Sequence, residues 1–112
     1  MTVVVDAATW ELEVQQSDRP VLVDFWGPRC VPCMRLLPQV EQLAKRWGEQ
    51  LKVAKVDAST NRRLCLTLKV LSLPTFLAFK DGVEVKRLTG EGITIPQIEA
   101  AVQELLGGEA SA

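Results

Sequence analysis

Two cysteines separated by two residues, Cys30 and Cys33, are the side chains best suited to chemistry in this sequence. They enclose a Cys-Val-Pro-Cys turn between an apolar run at 21–26 and an amphipathic segment that begins at Cys33. The free N–H groups and partial positive charge of a helix N-terminus stabilise a thiolate. Cys30 is therefore predicted to be the better nucleophile, and Cys33, on the apolar face, the more buried thiol. At this spacing the two sulfurs can form a disulfide that opens without unfolding the chain.

The chain contains no histidine and no tyrosine among its 112 residues, and this absence narrows the possible chemistry. Without histidine, Cys–His and Ser–His catalysis, histidine metal sites and haem on a proximal histidine are excluded. A zinc site at Cys30 and Cys33 would need about four ligands, so Cys65 and a carboxylate would have to complete it. A structural disulfide is a weak alternative, because closing so short a loop removes little entropy from the unfolded chain. A redox-active pair is favoured over these readings and over two inert core thiols, and no metal is expected.

The charges are balanced and spread along the chain, with 13 Lys and Arg against 14 Asp and Glu. No basic stripe is present to neutralise phosphates, so nucleic acid is not an expected partner. The apolar runs are shorter than a membrane helix requires, so no membrane partner is expected either. The first residues have neither the basic start nor the apolar stretch of a signal peptide. This predicts a cytoplasmic protein whose thiols stay reduced.

The length is enough for one domain and too short for two of ordinary size. Apolar residues make up 47% and charged residues 24% of the chain, which is an ordinary globular composition. We expect a single domain over residues 1–112, in which the small and polar stretch 107–112 forms a frayed tail.

Hydrophobic periodicity and turn residues predict a regular alternation of strands and helices. The predicted elements are a strand at 3–5, a helix at 7–16, a strand at 21–26, a helix at 33–47, a strand at 51–57, a helix at 61–68, strands at 75–80 and 83–89, and a helix at 94–106. The first helix has Trp10, Leu12 and Val14 available for packing. Pro38 lies inside the long helix and is expected to kink it.

This order of elements predicts an α/β fold with a mixed central sheet of about five strands, flanked on both faces by about four helices. Strands separated by helices are expected to be parallel, and the Asp81-Gly82 hairpin adds antiparallel pairing. The run at 21–26 is typical of a central strand buried on both faces. Sites in such folds lie beyond the carboxyl ends of the strands, where the turn at Cys30 falls.

Several motifs in a fixed order resemble the thioredoxin family over about residues 3–106. They are Asp24-Phe25-Trp26 six residues before Cys30, the Cys-Val-Pro-Cys turn, Pro38, the segment 53–57, Leu73-Pro74-Thr75, Phe79-Lys80-Asp81-Gly82, and Gly90. A Cys-x-x-Cys pair near a β-α-β pattern is the general signal of this family. The resemblance implies the thioredoxin fold and a thiol–disulfide oxidoreductase that reduces protein disulfides through Cys30 and Cys33.

The resemblance also implies roles for the residues around the two thiols. Cys30 would attack a target disulfide, and Cys33 would then attack Cys30 and release the reduced target. Asp24 resembles the buried aspartate of the family, which helps to take the proton from Cys33. The strand pattern agrees, because burial raises the pKa of a carboxyl; the alternative is an Asp24 that faces a solvent gap or caps a neighbour. Lys55 resembles the lysine near that aspartate, although an ordinary solvated lysine fits the sequence as well.

A substrate surface around the sulfur is implied in the same way. Pro74 matches the cis-proline of the family, although a proline before a strand can also be a simple stop signal. By resemblance, Leu73, Pro74 and Thr75 hold the extended chain of a substrate through backbone hydrogen bonds. Trp26, Pro32, Leu73 and Gly90 would surround the sulfur with an apolar docking surface.

Four residues depart from the family pattern near this surface. Arg29 stands where tryptophan is usual, Val31 where glycine is usual, Met34 where lysine is frequent, and Glu91 where a small apolar residue is common. We hypothesise that Arg29 favours the Cys30 thiolate and selects targets with acidic flanks; the alternative is an arginine that only meets solvent. Val31 is expected to change the balance between dithiol and disulfide, in a direction that the sequence does not give.

The implied partners are disulfide-containing target proteins and a separate thioredoxin reductase, linked to NADPH through flavin or to ferredoxin. The chain has no phosphate-binding glycine motif, so we expect no nicotinamide, flavin or other cofactor, and we expect a monomer. Oxidising and isomerising relatives often carry histidine before the second cysteine, where this chain has Pro32, which favours a reductase. A disulfide oxidase or isomerase, and a non-catalytic binding module, are the alternatives.

The third cysteine, Cys65, lies among leucines in a short predicted helix. It is expected to serve as a small buried hydrophobe. The alternative is a regulatory thiol that is modified or forms a dimer under oxidation.

Overall fold

Five strands form one mixed sheet in the order β1-β3-β2-β4-β5 in the computed structural model, which describes residues 2–107. The strands are β1 (Thr2–Val4), β2 (Val21–Trp26), β3 (Lys52–Asp57), β4 (Thr75–Lys80) and β5 (Val83–Thr89). β3 is parallel to both β1 and β2, whereas β4 runs antiparallel to β2 and to β5. The predicted mixed sheet of five strands is confirmed.

Within residues 2–107, three α-helices and several shorter helical segments flank the sheet. The helices are α1 (Val31–Trp47), α2 (Arg62–Thr67) and α3 (Ile95–Leu105); a π-helix covers Glu11–Gln15, and 3-10 turns cover Gly48–Gln50 and Ala58–Thr60. The predicted α/β architecture with flanking helices is confirmed, and most element ends lie within one or two residues of their predicted positions. α1 begins two residues earlier than predicted and continues through Pro38.

The first predicted helix differs from the structure. Of the predicted span 7–16, the segment Glu11–Gln15 has π-helical hydrogen bonding. Trp10 and Val14 are buried, but Leu12 is 64% exposed, so its predicted packing is wrong. Residues four apart share one face of a helix, and Leu12 lies halfway between the two buried residues on the opposite face.

Two hydrophobic cores lie on the two faces of the sheet, and β2 contributes to both. Leu22 packs with residues of α1 and α3, including Val40 and Ile98. Val23 belongs to the opposite core, in which the Trp10 ring meets the ring of Phe79 edge to face at 5.4 Å. Side chains of a strand point to the two faces of the sheet in turn, and a core covers each face. Every residue of β2 except the last is therefore buried, as predicted for a central strand.

Residues 108–112, most of the predicted frayed tail, lie outside the described residues. Gly107 has a positive φ of 95° and its N–H donates to the carbonyl of Glu104, which completes the turn after α3. A residue without a Cβ fits this backbone conformation best, so Gly107 is suited to follow the helix.

Replacement of Thr94 tests how the N-terminus of α3 is held. The Thr94 side chain accepts a hydrogen bond from the N–H of Gln97, whose own side chain accepts from the N–H of Thr94. Loss of such a cap costs about 1 kcal/mol, so Thr94→Ala should lower the free energy of unfolding in urea by about that amount. Thr94→Ser keeps the hydroxyl and should retain most of the stability; equal losses in both variants would contradict the capping role.

Candidate active site

Cys30 and Cys33 form a disulfide at the N-terminus of α1, with 5.2 Å between their Cα atoms. Cys30 is the N-cap residue of this helix, and the backbone N–H of Cys33 donates to its sulfur at 3.2 Å. Pro32 lies in the first turn, where the missing N–H has no helical partner to lose. Cys33 is 1% exposed, whereas Cys30 is only partly covered. An attacking sulfur can therefore reach Cys30 far more easily than Cys33.

Asp24 lies in the middle of β2 and is 1% exposed. Its Oδ2 atom has no hydrogen-bond partner within residues 2–107. Because side chains alternate along a strand, Asp24 faces the same side as Leu22, which packs against α1. Burial raises the pKa of Asp24 from 3.8 to about 7, while the charge of Lys55 opposes the rise and that of Glu41 adds to it. This carboxyl can therefore gain or lose a proton near neutral pH.

A chain of polar contacts between Lys55, Glu41 and Thr2 runs from beside Asp24 to the edge of the sheet. Lys55 is the register partner of Asp24 on β3, so both side chains lie on the α1 side of the sheet. The Lys55 Nζ atom lies 2.8 Å from Oε2 of Glu41 on α1, and the Thr2 hydroxyl of β1 donates to the same oxygen at 3.0 Å. The hydrogen bond from Lys55 lowers the pKa of Glu41, which keeps this carboxylate ionised. Lys55 is thus an ion-pair partner of Glu41 as well as a neighbour of Asp24.

Glu41 was not identified from the sequence. Its only local signal is its place in α1 directly after Val40, a fully buried residue, which puts it at the border of the apolar face. Which lysine it meets depends on how α1 crosses the sheet. No pattern along the sequence gives that crossing.

The sheet brings three separate segments to one end. Phe25 pairs with Thr75 across β2 and β4, and Thr75 pairs with Thr89 across β4 and β5. The residues next to these partners therefore lie close together at this end of the sheet: Trp26 at the end of β2 and Arg29 after it, Leu73 and Pro74 before β4, and Gly90 after β5. The predicted substrate-binding residues of these segments are thus brought together.

The Leu73–Pro74 peptide bond is cis, which the resemblance implied. The Pro74 carbonyl accepts a hydrogen bond from the N–H of Gly90 at 2.9 Å, and this contact ties the two loops together. A Cβ atom at Gly27 would lie 3.1 Å from Cδ1 of Leu73, so the loop after β2 also approaches Leu73 closely. Thr75 is fully buried, and its hydroxyl donates to the carbonyl of Ser72. The Thr75 side chain therefore lies under the loop, which it contacts at Ser72, and it does not reach the surface.

The residues that depart from the family pattern are at the surface. Val31 is 70% exposed within the redox turn, and Arg29, Met34 and Glu91 are also exposed. A groove of about 680 Å³ opens beside Cys30 and is bordered by Arg29 and Leu73. Substitution at these positions changes what an approaching molecule meets and leaves the core intact.

Cys65 is buried in α2, in the core that contains Val23 and Trp10. Burial raises the pKa of its thiol, which disfavours the reactive thiolate form. These observations agree with the role of a small buried hydrophobe.

The fold and the Cys30–Cys33 pair at the end of the sheet define a thiol–disulfide oxidoreductase. The family model described as thioredoxin matches residues 1–104, and the chain belongs to the thioredoxin family. The pair occupies the active-site position of that family, so the chain is a protein-disulfide reductase of the thioredoxin type.

Curated relatives support the same assignment. The chain is similar to a thioredoxin of Acetoanaerobium sticklandii, with 42% identity over 101 residues that cover 90% of this chain and 96% of the relative. It is also 42% identical over 89 residues to a thioredoxin of Mycobacterium tuberculosis, which covers 80% of this chain and 77% of the relative. A bifunctional thioredoxin reductase/thioredoxin of Mycobacterium leprae is 40% identical over 90 residues, which cover 80% of this chain and 20% of that protein.

Within residues 2–107, no helix has the length and apolar character needed to span a membrane. The same residues contain no group of three or more Cys, Asp or Glu side chains arranged to hold a metal ion. Thioredoxins generally work without a bound cofactor, through the disulfide itself.

The buried carboxyl predicts a stability that depends on pH. Because the pKa of Asp24 is about 7 in the folded protein and 3.8 ordinarily, the folded state binds more protons between these values. Stability should therefore fall as the pH rises from about 4 to 7, and then stay level. Asp24→Asn removes this slope and should stabilise the oxidised protein at pH 8 by on the order of 4 kcal/mol at most. Urea unfolding of both proteins from pH 4 to 8 measures the difference, and parallel profiles would contradict it.

Replacement of Glu41 by glutamine tests the polar chain. The variant loses a negative charge that raises the pKa of Asp24, and it also frees the charge of Lys55, which lowers that pKa. Both changes lower the pKa of Asp24, which should therefore fall below about 7 in Glu41→Gln. The NMR chemical shift of the Asp24 carboxyl carbon, followed against pH, measures this pKa. Glu49→Gln, at an exposed position beyond α1, is the matched control and should leave the pKa of Asp24 unchanged. An unchanged or higher value in Glu41→Gln would refute this account.

Proposed function

We propose that Cys30 is the attacking thiolate, Cys33 the resolving thiol and Asp24 the proton acceptor in the reduction of protein disulfides. The Cys30 thiolate attacks one sulfur of a target disulfide, forms a mixed disulfide, and releases the other target sulfur as a thiolate. Asp24 takes the proton from Cys33, whose thiolate then attacks the Cys30 sulfur. The Cys30–Cys33 disulfide forms and the second target thiolate leaves. The target gains two electrons, and the dithiol loses two.

The observation that carries this assignment is the unequal burial of the two sulfurs. Cys30 is partly exposed and caps α1, where N–H groups and the helix dipole favour a thiolate. Cys33 is enclosed, and its helix α1 packs through Leu36 and Val40 on the side of the sheet that Asp24 faces. A buried thiol needs a nearby base before it can react, and a carboxyl with a pKa of about 7 is suited to that task.

Lys55 is proposed to adjust the acidity of Asp24 through its positive charge, while its contact with Glu41 moderates the effect. The target would dock on the surface formed by the three loops at the end of the sheet. Its members are Trp26, Arg29, Val31, Pro32, Leu73, Pro74, Thr75 and Gly90. The extended chain of the target would bind alongside Leu73 through backbone hydrogen bonds. Thr75 contributes by holding the Ser72 carbonyl, which fixes the loop.

The cycle needs a partner that returns two electrons to the Cys30–Cys33 disulfide. We propose a separate thioredoxin reductase linked to NADPH through flavin, with a ferredoxin-linked enzyme as the second candidate. The relative from Mycobacterium leprae, whose name joins thioredoxin reductase and thioredoxin, supports a thioredoxin reductase as the partner. We further propose a cytoplasmic, monomeric protein in which residues 1–112 form a single domain without a cofactor of its own.

Insulin reduction with Cys33→Ser tests the assignment. Without the resolving thiol, the mixed disulfide on Cys30 cannot be released, so turnover should stop and a covalent complex should accumulate. Precipitation of reduced insulin measures turnover, and mass spectrometry under non-reducing conditions detects the complex. The wild type should turn over when it is recycled by an NADPH-linked or a ferredoxin-linked reductase.

Two controls define the outcome. Cys65→Ser should reduce insulin like the wild type, and Cys30→Ser should form no covalent complex. Continued turnover by Cys33→Ser would contradict the proposed roles. A second contrary result concerns the wild-type protein: its Cys30–Cys33 disulfide can be reduced chemically, yet no reductase recycles it and insulin stays intact. That result would favour an oxidase or a non-catalytic binding module.

A further inference from the structure

A second groove continues the one beside Cys30. The first, of about 680 Å³, begins at Cys30 and Arg29, and the second, of about 320 Å³, runs on toward Leu71. The two share Ala58, Arg62 and Leu73 in their walls. They therefore form one continuous depression that leads from the reactive sulfur along α2.

The end of this groove beside Cys30 is basic. Arg29 and Arg62 both line it, and neither side chain forms an ion pair within residues 2–107. No Asp or Glu is among the lining residues of either part. The nearby Asp57 carboxylate accepts hydrogen bonds from the N–H and hydroxyl of Ser59, so it is already engaged. Two uncompensated cations beside the sulfur favour a ligand that carries negative charge.

The far end of the groove is apolar. Leu66 and Leu71 line it and are 67% and 80% exposed, an unusual position for two large aliphatic side chains. Arg62 and Leu66 lie four residues apart and thus on the same face of α2. Their Cα atoms are separated along the helix axis by about 6 Å. An extended chain covers this distance in about two residues, and residues two apart on such a chain point the same way.

We propose that this groove binds the stretch of target chain next to the reactive cysteine, and that it selects an acidic residue followed two positions on by an apolar residue. The acidic side chain meets Arg29 and Arg62, and the apolar one contacts Leu66 and Leu71. This inference rests on the proposed reaction at Cys30, and it adds a substrate class to it. It also assigns a binding role to α2, from which no site residue was predicted.

Matched peptides provide the test. Each peptide carries one cysteine as a mixed disulfide with 2-thiopyridine, a neutral group that absorbs light when it is released. One peptide has Asp near the cysteine and Leu two positions further on, and the other has Asn and Ser at those places. Reduced wild-type protein in excess should react about five to ten times faster with the first peptide, and high salt should shrink this ratio.

Reversing the charge of Arg62 tests whether the groove causes the difference between the two reaction rates. In Arg62→Glu the ratio of the two rates should fall below one, and in Arg62→Gln it should fall part of the way. Arg63→Glu makes the same change in net charge at an exposed neighbour that does not line the groove, and it should keep the wild-type ratio. Leu66→Ser should reduce the benefit of Leu in the peptide.

The outcomes separate the two proposals. Equal rates for both peptides in the wild type, or equal shifts in Arg62→Glu and Arg63→Glu, would overturn the groove as the source of selectivity. If neither peptide reacts faster with the wild type than with Cys30→Ser, the reaction proposed at Cys30 fails instead.

Discussion

The proposed chemistry depends on keeping one carboxyl away from water at the centre of the sheet. Asp24 lies on a strand whose other buried residues are apolar, and its burial costs free energy that the two cores must offset. The covering is complete because α1 and α3 close one face of the sheet and the segment around Trp10 closes the other. A looser core would admit water and return the carboxyl to its ordinary acidity, and Asp24 would no longer suit the role of base that we propose for it.

The strand that contains the buried carboxyl also leads directly to Cys30. β2 ends at Trp26, and four residues later Cys30 caps the helix that packs back across the same strand. Strand, turn and helix thus leave Cys30 partly exposed and Cys33 in the interior, at the start of the helix that covers the face of Asp24. The two sulfurs therefore differ in exposure, although only two residues separate them in the sequence.

Local patterns were enough to predict most of the fold and the centre of the site. Three of these patterns each involve only a few neighbouring residues: the apolar run of β2, the helical spacing after Cys33 and the Asp81-Gly82 turn. Each is found in the structure at its predicted position. The π-helix at Glu11–Gln15 escaped prediction because tertiary packing of Trp10 and Val14 decided its form. Glu41 escaped because its contact with Lys55 is set by how α1 crosses the sheet. Arg62 escaped because its place in the groove beside Cys30 is set by how α2 packs, and spacing along the chain encodes neither arrangement.

The close approach between Gly27 and Leu73 has a consequence for how the family can vary. The two residues belong to different loops, and a Cβ at one would crowd the side chain of the other at 3.1 Å. A larger residue at position 27 is accommodated most easily when position 73 becomes smaller. The pair should therefore change together across related sequences, and a library that randomises both positions should return them as matched combinations. The shape of the redox site thus constrains positions 27 and 73 jointly.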